Sequence, residues 1–396
     1  MTFSDLSERF ALVDFVTVHQ TLAGDGVACA LAGPGTYGLR PLTLRVGDDA
    51  VTIHPGQPVT ISSGASSEAV ADVEFVTVRA FTDFFHELRS APGAHITGGL
   101  RYLKGGFGHI DAWEPALRAL YQKRNVYDPT TVDRARMTQV FRYGVDSIED
   151  IGAFVQEFGF AVVRGVFSAD EIASIDSAIA RLEHEATPET HGTWWTTGPD
   201  GEGYPCQIHY ATLKAPEIAW VDTDERVTAL REASIPGLVV HSDRMNGAFA
   251  VLKRPGATEG LTNLTWHIDC GLGGHTLACP GLHIGVQLTG SNPAKGAFSV
   301  LAGSHSSSVR RDLIESGDQP VVVVSTEPGD VTIHVPHVMH AAPAPVGDGP
   351  GRRTLYLGFA RQEAHDVIGP GRSFDDLISG TATDGYVSFD DGVRGG

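Results

Sequence analysis

Cysteine is scarce in this chain: four in 396 residues, Cys29, Cys206, Cys270 and Cys279. None forms a C-x-x-C pair, and four in a chain of this length do not make a disulfide framework. A reduced, cytoplasmic setting is the expectation. Long apolar runs are also missing. No stretch of 18 apolar residues occurs, so no membrane-spanning helix is expected. The opening MTFSDLSERFALVDF has early acids and no basic segment before an apolar run, which argues against a signal peptide. Positive charge is in short supply: 29 Lys and Arg against 48 Asp and Glu leave a net charge of −19. Nucleic acid and anionic membranes are therefore poor partners, and a small molecule is the expected one. No block of five like charges explains the excess, so it belongs to no acidic tail.

What is present is ordinary globular material, 42% hydrophobic and 19% charged, in a length that suggests two domains. Residues 1–122 mix short strands and helices. LRPLTLRVGDDAVTIHPG (39–56) alternates like a hairpin around Gly47-Asp48-Asp49, and 73–90 begins as a strand and turns helical in period. ALRALYQKRN (116–125) reads as the closing helix. Residues 123–146 are polar and aperiodic and read as a linker. A new start follows. Ser147 and Asp150 resemble a capping box, FAVVRGVF (160–167) is a strand, and Ser168 caps a second helix with Asp170 and Glu171 in its first turn. Residues 239–361 hold many short strands between Gly, Pro and Asn, which points to a sandwich or jelly roll. The fold expected is an α+β first domain and a mainly β second domain (147–361), a cupin-like double-stranded β-helix flanked by helices. The tail, 362–396, is rich in Gly and Asp and is expected to be partly disordered.

Two imidazoles and a carboxylate bind iron on one face and leave the other face free. His-x-Asp on or just after a strand aims two such ligands at one point, because residues i and i+2 share a side. With 17 histidines, on the order of one chance match is expected. There are three: His109-Ile-Asp111, His241-Ser-Asp243 and His267-Ile-Asp269. The first lies away from the β-rich segment and reads as an ordinary turn pair. The second ends a strand and competes. The third sits in LTNLTWHIDCGLGGH, and downstream GDVTIHVPHVMHAAP (329–343) is a strand loaded with histidines. The span from Asp269 to His340 suits strands that meet across a barrel. GRRTLYLGFA (351–360) then offers arginine, the best clamp for a carboxylate. Arg352 and Arg353 face opposite sides, so only one points inward.

These residues carry a resemblance. LKRPGATEGLTNLTWHIDCG is similar to the "K-P-P-G … W-H-x-D" stretch of the phytanoyl-CoA dioxygenase family of iron(II)/2-oxoglutarate oxygenases. LHIGVQLTGSNPAKGAFSVLAGSH resembles its "PGSH" signature, and PGDVTIHVPHVMHAAPAP its distal histidine strand. The resemblance spans 147–361. It implies His267, Asp269 and His340 as iron(II) ligands and sets His334 and His337 aside. It implies Arg352 on the far carboxylate of 2-oxoglutarate and a basic position near the co-substrate at Lys253. Ala302 stands where the signature has proline, and Ala341-Ala342 where Gly-Ser is common, departures that touch loops only. Asp269 separates the chain from halogenase variants, which lack that carboxylate. The implied chemistry consumes dioxygen and 2-oxoglutarate, releases succinate and carbon dioxide, and hydroxylates an unactivated carbon of a small molecule.

The first region resembles, on LRPLTLRVGDDAVTIHPG, FTDFFHELRSAPG and AHITGGLRYLKGGFGHIDAWEPALRALY, a sterol carrier protein domain. That implies either a lipid tunnel or a packing module; a homodimer is left open. Segment 187–238 reads as loops over the mouth of the site. Trp194, Trp195, Tyr204 and His209 are its candidates for substrate contact. Desaturation, cyclisation or epimerisation at the same iron, and a metal-free cupin-like binding protein, are the rival readings.

Overall fold

Strand alternation sets the architecture. In the computed structural model, which describes residues 1–198, 200–257, 260–314, 318–346 and 351–379, the strands form two separate bodies of sheet. The first is a five-stranded sheet in the order Thr60–Ser63, Asp49–His54, Leu42–Val46, Ala71–Phe75, Leu100–Lys104. The hairpin expected at 39–56 is its antiparallel pair Leu42–Val46 and Asp49–His54. The helix Phe107–Gln122 packs Trp113, Leu117 and Leu120 on the sheet. Around Phe81 the rings of Phe15, His19, Phe75, Phe85 and Tyr121 close up with centroids 5.0–6.1 Å apart. The cavity between Phe84, Phe85, Arg118 and Tyr121 holds only about 10 Å³, room for one water at most.

The second body pairs an eight-stranded with a four-stranded sheet. The large sheet runs Phe141–Arg142, Phe160–Arg164, Val331–His334, Leu282–Gln287, Arg352–Phe359, Ala248–Lys253, Gly203–His209, Thr193–Thr197. The small one runs Leu264–His267, His340–Ala342, Ser299–Leu301, Val321–Val323. On the large sheet Ile284, Val286, Ile333, Leu355, Leu357, Ala250 and Leu252 turn outward. They form the main core with Phe154, Ile175 and Leu230 of three covering helices, Ile148–Phe158, Ala169–Glu185 and Glu225–Ser234. Opposed residues of neighbouring strands share a face. The inward side is thus fixed by register: His283 opposite His334, Gly285 opposite Thr332 and Tyr356, Gln287 opposite Thr354, Lys253 opposite Arg352. This inner face is polar where a sandwich core would be apolar, and it faces the small sheet. Gly285 is required there: a Cβ would lie 2.6 Å from Tyr356 Cε1 and 2.8 Å from Thr332 Oγ1.

Several elements differ from the sequence reading. Segment 187–238, read as loops, supplies the edge pair Thr193–Thr197 and Gly203–His209. Pro205 disguised the second strand; it is tolerated because the register shifts between Pro205 and Gln207, a bulge at a sheet edge. VVHSD (239–243) is no strand beyond a single bridge from Val239 to Ala360. Ser147 caps its helix through Asp150 N alone, whereas Ser168 and Glu171 form the full reciprocal box. Residues 123–146 are tied down: Asn125–Val126 pairs with Ser307–Ser308, Phe141–Arg142 pairs with Phe160–Arg164, and Tyr127 donates to Ala302 O at 2.8 Å. Two helices, Gln362–Ile368 and Phe374–Ser379, begin the tail, and Phe374 and Leu377 pack with Phe3 and Leu6. The rest of the tail, 380–396, lies outside the described residues. No helix among the described residues is long and apolar enough to cross a membrane.

Candidate metal centre

His267 ends the Leu264–His267 strand, and His340 opens its antiparallel neighbour directly opposite. Asp269 follows two residues on, its N–H donating to Pro336 O at 2.9 Å. The three side chains converge: Asp269 Oδ1 is 3.6 Å from His267 Nε2 and 3.4 Å from His340 Nε2. Both imidazoles are oriented by backbone. His267 Nδ1 lies 2.7 Å from Thr265 O, and His340 Nδ1 lies 2.8 Å from Val338 O. A carbonyl only accepts, so each Nδ1 carries the proton and each Nε2 lone pair points at Asp269, the arrangement a metal needs. The Asp269 side chain is 29% exposed and that of His340 6%, so the cluster is buried on one side and open on the other.

Asp269 has a second audience. Its Oδ2 lies 3.3 Å from His283 Nδ1 and 3.6 Å from His334 Nε2, both on the inner face of the large sheet. Desolvation among these rings opposes ionisation of Asp269. The surrounding imidazoles, His340 foremost, and the hydrogen bonds from His283 and His334 outweigh it and hold the carboxyl well below its usual range. Burial pushes His334 down to about 3, so it stays neutral. Sequence reasoning set His334 aside as a ligand and missed His283. The signal was the alternation in LHIGVQ, where His283 falls opposite the apolar side of Leu282, Ile284 and Val286.

Arg352 is 3% exposed and faces inward. Its Nη1 donates to Gly296 O at 3.0 Å, and its buried Nε has no partner. Arg353 points the other way and pairs with Asp176 at 3.0 Å. Tyr356, on the same side of the strand as Arg352, stands within reach of both Arg352 and Asp269; burial foremost pushes its hydroxyl above the usual range. Lys253 is 2% exposed. Its ammonium donates to Thr262 O and Pro343 O at 3.0 and 3.1 Å and also to Ala342 O, tying two loops to the sheet.

The aromatic candidates divide. His209 stacks on Phe249 at 5.5 Å and lies 4.4 Å from Trp194. Phe249 in turn contacts Tyr356 and His283 at 5.4 and 5.8 Å, so this row of rings leads to the metal cluster. His209 Nδ1 is 2.8 Å from Met245 O, and its buried Nε2 has no partner. Tyr204 instead sits under the Arg254 guanidinium at 4.3 Å. Trp195 lies opposite Pro205 at the sheet edge. The competing motifs do not gather a metal set among the described residues. His109 serves the start of its helix through Gly106, Asp111 pairs with Arg311 at 2.5 Å, and His241 Nε2 lies 3.0 Å from Gln362 Oε1.

The model of the phytanoyl-CoA dioxygenase (PhyH) family matches residues 155–354, half of the chain and all of this cluster. The chain belongs to the phytanoyl-CoA dioxygenase family. Among curated proteins it is similar to the ectoine dioxygenase of Stutzerimonas stutzeri (strain A1501), 28% identical over 201 residues, 48% of this chain and 62% of that one. The chain thus spans less than two thirds of that relative's length. Solved structures similar to it include AviO1 from Streptomyces viridochromogenes Tue57, with a TM-score of 0.44 and 21% identity over 55% of this chain and 96% of that one. EctD from S. alaskensis with 2-oxoglutarate and 5-hydroxyectoine has a TM-score of 0.44 and 18% identity over 60% and 82%.

Proposed function

We propose that this member of the phytanoyl-CoA dioxygenase family is an iron(II)- and 2-oxoglutarate-dependent dioxygenase that hydroxylates an unactivated carbon of a small organic molecule. The observation that carries the reading is the convergence of His267 Nε2, Asp269 Oδ1 and His340 Nε2, with both Nδ1 atoms tied to backbone carbonyls. Iron(II) held by these three would supply the coupled reaction in which 2-oxoglutarate, dioxygen and R–H become succinate, carbon dioxide and R–OH.

The chain's own residues do the rest. Asp269 stays ionised and gives the ligand set its one negative charge. His283 and His334 hold its second oxygen and fix its direction. Arg352, buried with an unsatisfied Nε, receives the far carboxylate of 2-oxoglutarate and sets which end faces the metal. Trp194, His209 and Phe249 form an aromatic wall against which the organic substrate is positioned and water excluded. Lys253, with its donors already engaged, is assigned a positioning role. The 1–122 region is assigned a packing role, supported by the closely packed rings around Phe81, rather than a lipid tunnel.

Anaerobic addition of iron(II) and 2-oxoglutarate to the purified protein tests the reading. A visible charge-transfer band is expected and should vanish in His267→Ala, Asp269→Ala and His340→Ala, together with succinate formation, while His241→Ala keeps both. A band that survives in all three variants sinks the proposal in favour of a binding protein of the same fold. Desaturation, cyclisation or epimerisation would also release succinate; the product then lacks the added oxygen mass.

A further inference from the structure

A second group of metal-ligand side chains lies beside the first and shares no residue with it. Cys270, His275, Cys279 and His337 bring one ligand atom each to within 4.8 Å of one another. We propose that these four bind a zinc ion, a structural site distinct from the iron centre, and that it fixes the loop on which Asp269 stands.

The chain assembles the set from two directions. The Asp269 N–H to Pro336 O bond lays two segments side by side, so the next residues, Cys270 and His337, meet with Sγ and Nδ1 3.2 Å apart. The loop then turns into the short helix His275–Ala278. Residues four apart share a helical face, and this puts Cys279 Sγ 3.8 Å from His275 Nδ1. Cys279 Sγ is also 3.8 Å from Cys270 Sγ.

The distances suit zinc. Bonds of about 2.3 Å to sulfur and about 2.0 Å to nitrogen at tetrahedral angles separate two sulfurs by about 3.8 Å and a sulfur from a nitrogen by about 3.5 Å. The observed 3.8 Å between sulfurs agrees, and two of the four sulfur–nitrogen separations, 3.2 Å for Cys270–His337 and 3.8 Å for Cys279–His275, bracket the second value. A disulfide needs about 2.05 Å. Two thiolates and two imidazoles are a zinc set by ligand softness, and four protein ligands close the site, as structural zinc requires. An entry path exists: a cavity of about 340 Å³ is lined by His275, Cys279 and His337.

Metal analysis and cobalt substitution of the full-length protein test this without reference to turnover. Protein purified without chelator should hold one zinc per chain in addition to any iron. One equivalent of cobalt(II) added to metal-free, reduced protein should give a near-ultraviolet thiolate-to-cobalt band. One equivalent of zinc should abolish it. The band should persist in His267→Ala, where the iron reading fails or stands independently, and disappear in Cys270→Ser and Cys279→Ser. Wild-type protein with four titratable thiols and no such band overturns the proposal. So does an intact mass showing Cys270 and Cys279 joined as a disulfide in the untreated protein. The wild-type spectrum decides even where a cysteine variant fails to fold.

Discussion

At the scale of single residues, Asp269 does the most, because each of its oxygens serves a different pair of histidines. His267 and His340 flank Oδ1, and His283 and His334 hold Oδ2. If the first pair are ligands and the second orient the carboxylate, the two sets differ in degree. His283→Ala and His334→Ala should retain the iron band but weaken iron binding by roughly 10- to 100-fold, the usual cost of losing an orienting partner. Equilibrium iron titration checks this; a complete loss equal to that of His267→Ala would move the metal to the other side of the carboxylate. The two adjacent arginines give a second contrast. Arg352→Leu should raise the KM for 2-oxoglutarate by roughly tenfold to a hundredfold, from a charge-assisted contact of about 1.5–3 kcal/mol, with the substrate KM little changed. Arg353→Leu breaks only partly exposed pairs with Asp176 and Glu183 and should leave both constants nearly unchanged. Much of this site was legible, because His-x-Asp and an arginine on an alternating strand are local patterns. The pairing of His283 with His334 was not, since it exists only once two strands that put residues 51 apart in sequence side by side are in register.

At the scale of elements, the alternation that revealed the strands also decides what they tolerate. The inner face of Leu282–Gln287 has space at Gly285 only because no side chain is there. Gly285→Ala would press on Tyr356 and Thr332. We expect a loss of roughly 1–3 kcal/mol in stability, typical of overpacking, and a raised KM for 2-oxoglutarate as Tyr356 is displaced; thermal melts and steady-state kinetics read both. In the first body, the helix Phe15–Gly24 buries His19, whose ring nitrogens meet Phe15 O and Tyr121 Oη at 2.7 and 2.9 Å. Burial drives its pKa from 6.5 down to about 4. The unfolded chain therefore takes up the proton first, and the neutral ring's contribution is whole above pH 6.5. It declines as the pH falls below 6.5 and is gone below about 4, a change on the order of 3 kcal/mol. Melting temperature against pH should fall less steeply for His19→Gln over that window; parallel curves would exclude the ring as a cause. Elements hidden from sequence reading were those with mixed signals. Gly203–His209 contains proline and was read as loop, and the ties within 123–146 rest on two-residue strands too short to show a period.

At the scale of the whole molecule, the first body contributes no ligand, yet it grips the loop that follows Asp269. Ser90 donates from N to Leu272 O at 2.9 Å and from Oγ to Gly271 O at 2.6 Å. Gly274 and His275 donate from their backbone to Glu87 O at 2.9 and 3.2 Å, and Thr276 donates to His86 O. Glu87 is itself held by Arg124 at 2.6 Å. Leu88, Leu272, Leu277, Phe3 and Phe374 fill the apolar joint behind these bonds, so both ends of the described chain meet there. The joint is tight enough that Gly93 admits no Cβ: one would lie 1.9 Å from Leu272 O. Gly93→Val must therefore push the 270–276 loop away without touching an iron ligand or the polar inner face. If the loop is what holds Asp269 in place, this variant should release iron several-fold faster than the parent, with a melting temperature lower by several degrees. The KM for 2-oxoglutarate should stay close to normal in the iron-loaded fraction, because Arg352 lies on the far strand. Stopped-flow chelation of iron measures the release. An unchanged release rate in a variant whose melting temperature has dropped would show that the two bodies are joined for stability alone, and that Asp269 is positioned from within the second body.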